Sequence, residues 1–305
     1  MIMDPVHNPY APGAGSPPPE LAGRDELRRV VRIALQRIRI GNPAKSVLMV
    51  GLRGVGKTVL LERIRVDTEA DGMHTVRMEA PEGRSLPALL APQLRVALLR
   101  LSRVEAAKDV AKRGLSALAG FAKALRITYQ DIEVGLDFEP EPGLADNGDL
   151  EADLAALLEQ VGIAAKEAGT AVVLFIDELQ YINEAQFAAL ISALHRCAQL
   201  RLPVMLVGAG LPQLRERAGS AKSYAERLFD YPEVGPLNSA DARKALESPA
   251  NALGVQFDDD AVQSIIAHTL GYPYFLQEWG KHAWDLADAS PITLSDVEHA
   301  SNVAI

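Results

Sequence analysis

Cysteine is almost absent from this 305-residue sequence. Cys197 stands alone, so no disulfide can form within the chain, and a reducing, cytoplasmic setting is the expectation. Long apolar runs are also missing. The longest strongly apolar stretch, AVVLFI at 171–176, has the length of a strand and falls far short of the roughly 20 residues a bilayer-spanning helix needs. No membrane partner is expected. Basic residues are in deficit, 31 Lys and Arg against 40 Asp and Glu, for a net charge of −9. That balance disfavours nucleic-acid binding by the whole surface and leaves only a local patch open. The six histidines show neither H-E-x-x-H nor other metal-ligand spacing, so no zinc site is expected. The first twenty residues, MIMDPVHNPYAPGAGSPPPE, lack the basic and apolar regions of a signal peptide. Rich in proline and glycine, residues 1–20 read as a disordered tail.

What is present suits a globular protein with one large or two modest domains. Apolar residues make up 48% and charged residues 23%, enough for a sizeable core. Leu27, Val30, Val31, Ala34, Leu35 and Ile38 recur at helical spacing and stop at Gly41 and Pro43. SVLMV, HTVRME, AVVLFIDE and PVMLVGAG read as strands, with YPEVGPL as a short fifth. Between them lie helical stripes: residues 86–126, residues 149–168, and a helix opened by an Asn183–Gln186 capping box. RITYQDIEVGLDFEPEPG reads as a small hairpin. Strands alternating with helices imply an α/β fold, a parallel sheet covered by helices on both faces. Beyond about residue 238 only helices are legible. The expected organisation is a core at 21–237, a small all-helical region at 238–290, and a further helix begun within 291–305 by a Ser295–Glu298 capping box, which is expected either to continue in a longer protein or to stand as a stub.

The chemistry concentrates at GLRGVGKT, residues 51–58. It satisfies G-x-x-x-x-G-K-[ST] between a strand and a helix, the context that a phosphate cradle requires. Glycines let successive N–H groups turn toward phosphate oxygens, and the helix that follows adds the positive end of its dipole. The candidate nucleotide-binding residues are Gly51, Arg53, Gly54, Val55, Gly56, Lys57 and Thr58, with Lys57 reaching the β- and γ-phosphates and Thr58 ligating magnesium. VVLFIDE supplies the second half. Asp177, at a strand end, is the candidate for holding Mg2+, and Glu178 is the candidate base that activates a water against the γ-phosphate. No lysine sits in an N-K-x-D or T-K-x-D guanine reader, which leaves ATP as the expected nucleotide.

With those residues in place, the chain resembles the AAA-type P-loop ATPases related to the origin-recognition and archaeal replication-initiator proteins, and their signalling relatives, the STAND ATPases. LAGRDEL, GLRGVGKT, VVLFIDELQ and GYPYFLQEWG carry the resemblance across residues 21–280. It implies a five-stranded ATPase core followed by a helical lid, with ATP or ADP between them. It implies that the entry loop around Gly23 and Arg24 lies near the nucleotide, and that the lid turn Gly271-Tyr272-Pro273 faces it. An arginine from a neighbouring subunit of a homo-oligomer is expected to complete the γ-phosphate site, and Arg227 occupies the matching place. Two departures stand out. The fourth strand ends VGAGLP without a polar side chain, and Tyr272-Pro273 stands where many members carry a lid arginine. Both point to slow turnover.

Three function classes follow. The first is a Mg-dependent ATPase acting as a molecular switch. The second is a nucleotide-gated module that binds DNA or a protein and barely hydrolyses ATP. The third is a small-molecule kinase with an acceptor pocket in residues 80–170. Residues 95–126 hold eight Lys or Arg against two acids, while residues 129–160 hold ten acids and no Lys or Arg. The two segments are expected to neutralise each other, with a basic partner-binding helix as the alternative. His195 is expected to face solvent, Cys197 to be an inert buried thiol, and Trp279 and Trp284 to be core.

Overall fold

The computed structural model describes residues 3–13, 18–80, 83, 85–125 and 138–301. Most of the expected hairpin, residues 126–137, lies outside the described residues. The chain forms two compact units. One holds the described residues within Arg29–Val50 and Leu61–Pro232. The other holds those within Met1–Arg28, Gly51–Leu60 and Glu233–Ile305. No helix among the described residues is long and apolar enough to cross a membrane.

The first unit is built on five parallel strands, β1 (Ser46–Val50), β2 (His74–Glu79), β3 (Val172–Asp177), β4 (Val204–Gly210) and β5 (Phe229–Asp230), in the order β2-β3-β4-β1-β5. The three inner strands are buried at every residue, as a parallel sheet covered on both faces requires. Edge strand β2 instead alternates, with Val76 and Met78 inward and Arg77 and Glu79 outward. The fifth strand lies at Phe229–Asp230, just before the YPEVGPL stretch expected to form it, and pairs with Ser46 and Val47.

Helices α1 (Asp25–Arg39) and α2 (Lys57–Ala70) flank β1 in sequence, and both run across the division between the units. The sheet unit continues with α3 (Leu86–Leu101), α4 (Lys108–Ala124), α5 (Leu150–Glu167), α6 (Glu184–Gln199), α7 (Leu214–Ala221) and α8 (Ala225–Leu228). α5 packs on α4 and α6, and α3 packs on α4 and β2, around one continuous apolar core. Asp149 caps α5 by accepting from the Ala152 N–H. The wholly buried Asp153 carboxylate is satisfied by N–H groups of Asn147 and Gly148. Asn183 caps α6 as expected, but Gln186 completes no box: its Oε1 accepts from the Leu86 N–H and ties α6 to α3. On α6, Cys197 takes the buried position and Ala198 is exposed. Burial pushes the Cys197 thiol up to about 12, which keeps it protonated and unreactive. His195 is half-buried and stacks on Tyr224 with ring centroids 4.4 Å apart, so the expectation of a solvated ring fails. The acidic segment does pair with the basic one at Arg113–Glu141, 2.8 Å, but Glu151 and Glu159 turn to Lys222 and Arg196 instead.

The second unit contains α9 (Ser239–Ala252), α10 (Asp259–Thr269), α11 (Pro273–Leu286) and α12 (Leu294–Ser301) around a separate apolar core. Trp279 and Trp284 belong to it, as expected. The cap of α12 is Thr293, not Ser295: Thr293 and Asp296 exchange hydrogen bonds between backbone N–H and side-chain oxygen in both directions.

The expectation of a disordered tail over residues 1–20 is corrected at residues 3–11. Tyr10 is 3% exposed, its hydroxyl donates to the Leu246 carbonyl, and its ring lies edge-on to Phe257 and Trp284. Trp284 Nε1 donates to the Asp4 carbonyl at 3.0 Å, and Asn8 Nδ2 donates to Lys281 O and Asp285 Oδ1. One aromatic ring and a few directional bonds hold this segment, which a composition average does not register. Replacing Tyr10 with Ala should destabilise the helical unit by about 3 kcal/mol, by analogy with other buried-aromatic truncations. Thermal unfolding checks this. A mobile tail would leave the midpoint unchanged.

Candidate functional site

Within the helical unit, the GLRGVGKT loop turns through two left-handed glycines, Gly54 at φ 80° and Gly56 at φ 88°. That conformation is open to glycine at little cost and strained for any side chain carrying a Cβ. α2 begins at Lys57, and its first bond runs from the Leu60 N–H to the Gly56 carbonyl. The amides of the first turn therefore start without intrahelical acceptors and offer an anion site. Lys57 is 8% exposed, and its Nζ curls back to donate to the carbonyls of Gly51 at 3.0 Å and Leu52 at 2.8 Å. A buried ammonium held by loop carbonyls suits a phosphate dianion closely. Val55 is buried, Thr58 and Gly51 are half-buried, and Arg53 is exposed.

Two contacts bind this loop to the rest of its unit. Arg24 donates through Nη2 to the Val55 carbonyl at 3.2 Å and to the Gly235 carbonyl at 2.5 Å. Burial lowers its pKa, and the Asp241 carboxylate opposes that shift. Arg24 thus braces the loop through its backbone. At the other side, Pro273 is the first residue of α11, and the Tyr274 N–H that follows donates to the Gly54 carbonyl at 3.2 Å. The Gly271-Tyr272-Pro273 turn is further pinned where the Leu237 N–H donates to the Gly271 carbonyl at 2.8 Å. The turn therefore meets the loop through Tyr274, which sequence reasoning passed over because a backbone N–H leaves no trace in residue type.

The sheet unit supplies the acidic pair. Val50, Gly210 and Asp177 are the last residues of three adjacent strands, β1, β4 and β3, so all three end at one edge of the sheet. In open parallel sheets that carboxyl edge is where ligands bind. Asp177 is buried, and its Oδ1 accepts from the Glu178 N–H at 2.8 Å. Glu178 is half-buried and left-handed, φ 53° and ψ 38°, a conformation costing on the order of 1 kcal/mol or more for a residue with a Cβ. Its Oε2 accepts from Gln180 Nε2. Gln180 went unassigned in the sequence, although it sits in DELQ. Arg227 lies exposed on α8, just before β5. Among the described residues no group of three or more His, Cys, Asp or Glu is placed to hold a metal ion by itself. Thr58, in the helical unit, and Asp177, in the sheet unit, each carry a hard oxygen donor of the kind that suits Mg2+.

Comparison with known proteins bears on the fold and the family. A search of curated proteins finds no match. Among solved structures, Cdc6p from Pyrobaculum aerophilum is similar with a TM-score of 0.60 at 15% identity, covering 100% of this chain and 72% of that one. Orc1 from Aeropyrum pernix, solved in complex with DNA, is similar with a TM-score of 0.54 at 16% identity, covering 94% of this chain and 66% of that one. The Thermotoga maritima RuvB Holliday junction branch migration motor is similar with a TM-score of 0.51 at 17% identity, covering 93% of this chain and 70% of that one. At these identities the likeness is one of fold. The family model for the AAA ATPase domain matches residues 20–207, well over half of the sequence, and the chain accordingly belongs to the AAA ATPase domain family.

Proposed function

We infer that this chain binds Mg-ATP at Gly51–Thr58 and hydrolyses it slowly, with the helical region at 238–290 acting as a lid on a core at 21–237. The observation that carries the reading is Lys57, a buried ammonium at the start of α2 that donates to the loop carbonyls of Gly51 and Leu52, which a phosphate can replace. Lys57 neutralises the β- and γ-phosphates, and the first-turn amides of α2 share that charge. Thr58 and Asp177 would hold the magnesium, which would supply charge neutralisation for the phosphates. Glu178 takes a proton from the attacking water as the water oxygen bonds to the γ-phosphorus; the bond from that phosphorus to the β,γ-bridging oxygen breaks, and ADP leaves beside inorganic phosphate. Arg24 and Pro273 act on the loop through its backbone and through Tyr274, and so shape the cradle. Because Tyr274 binds the Gly54 carbonyl, a change in the loop on binding or losing the γ-phosphate reaches α11 directly. That coupling supports a switch.

Arg227, exposed and preceding β5, is assigned to the γ-phosphate of a neighbouring copy in a homo-oligomer. DNA is carried as a candidate partner, since Orc1 was solved with DNA and RuvB is a branch migration motor. A protein partner is the other candidate. A cytoplasmic setting and membership of the STAND branch remain part of the same reading.

Phosphate release from Mg-ATP tests the reaction. Glu178→Gln should lower the rate by about 100-fold or more, the scale of a lost general base, while ATP is still retained. Retained ATP with no release from either protein would instead support the nucleotide-gated module. For Arg227, the rate per chain should rise with protein concentration in the wild type and lose that rise in Arg227→Ala; a flat wild-type dependence rejects action in trans.

A further inference from the structure

We propose that Gln180 is a positioning residue that fixes the Glu178 carboxylate for proton abstraction, a role resting on the reading of Glu178 as the base. Gln180 is 7% exposed and spans two elements of the sheet unit. Its Oε1 accepts from the Leu211 N–H at 3.1 Å, just past the end of β4. Its Nε2 donates to Glu178 Oε2. Only one amide orientation serves both partners, because Leu211 offers a donor and the carboxylate only accepts. Gly210 makes room for the amide. A Cβ there would lie 2.8 Å from Gln180 Oε1 and 2.9 Å from Leu214 Cδ2. The missing side chain at the end of β4 and the amide two residues after Glu178 are therefore complementary, and the polar group at that strand end is lent by the loop after β3.

The backbone beneath Gln180 is also held. Arg217, on α7, donates to the carbonyls of Gln180 and of Ile182, the latter at 2.5 Å. Gln180 thus has a fixed backbone, a fixed Oε1 and an amide NH2 that donates to Glu178. That bond takes up one carboxylate oxygen and restrains the side-chain torsions. No hydrogen-bond donor among the described residues engages the other oxygen, Oε1, which is left to accept a proton. Misplacement of a base by an ångström costs about 100-fold.

The test is single-turnover and steady-state phosphate release with the full chain, alongside ATP affinity, for wild type, Gln180→Leu, Gly210→Ala, Glu178→Gln and the Gln180→Leu/Glu178→Gln pair. Gly210→Ala leaves Gln180 in place but crowds its amide, so it decides the matter if Gln180→Leu does not fold. The expected result is a kcat lowered by about 10- to 100-fold in Gln180→Leu and Gly210→Ala, with KM and ATP affinity within about twofold. In the Glu178→Gln background, Gln180→Leu should lower the residual rate no further, since its effect passes through Glu178. Unchanged kcat, a loss expressed in ATP affinity, or an equal further loss in the Glu178→Gln background would each overturn the proposal while leaving the base reading intact. A wild type that releases no phosphate removes the base reading, and the Gln180 assignment with it.

Discussion

A parallel sheet buried on both faces constrains everything else in the sheet unit. Its strands all run the same way, so their carboxyl ends meet at one edge, and only there can polar side chains leave the apolar interior. β1, β4 and β3 are apolar along their length and turn polar or glycine-rich where they stop. Asp177, Glu178 and Gly210 all follow from that one boundary. The left-handed turn at Glu178 belongs to the same constraint. β3 must end abruptly for Leu179 and Gln180 to return into the core, and Glu178 absorbs the turn.

In the helical unit the governing fact is that the loop is held by its carbonyls. Lys57 binds those of Gly51 and Leu52, Arg24 binds that of Val55, and the Tyr274 N–H binds that of Gly54. Carbonyls drawn toward cations and donors leave the loop's N–H groups for an anion. The same bonds make α11 and the entry segment around Arg24 sensitive to the state of the loop. Under the proposed reading this is how a phosphate lost by hydrolysis is felt in the helices, and it requires no contact between phosphate and α11.

Features set by local pattern were legible in the sequence. Three of the five strands are runs of apolar residues and a fourth, β2, alternates, and GLRGVGKT is a pattern whose spacing encodes its own backbone geometry. Features set by single long-range contacts were not. Residues 3–11 carry too few apolar groups to suggest order, yet Tyr10 alone fills a core position against Leu246, Phe257 and Trp284. Arg24 was expected near a nucleotide because its entry loop resembles that of AAA-type ATPases; which backbone carbonyls its guanidinium serves, those of Val55 and Gly235, only the fold shows. The fourth strand's lack of a polar end read as a deficiency. Only the fold brings Gln180 to Gly210 and Leu211 and shows the position filled from elsewhere.

The central claim is that the GLRGVGKT loop is a magnesium-nucleotide cradle organised around Lys57. Calorimetric titration of ATP into the chain, with magnesium and with it chelated, wild type beside Lys57→Ala, addresses it most directly. One site per chain is predicted, weakened about tenfold or more both by chelation and by loss of the Lys57 ammonium, a difference of roughly 1.4 kcal/mol or more. Equal affinity in wild type and Lys57→Ala, or no ATP binding by the wild type, would contradict it.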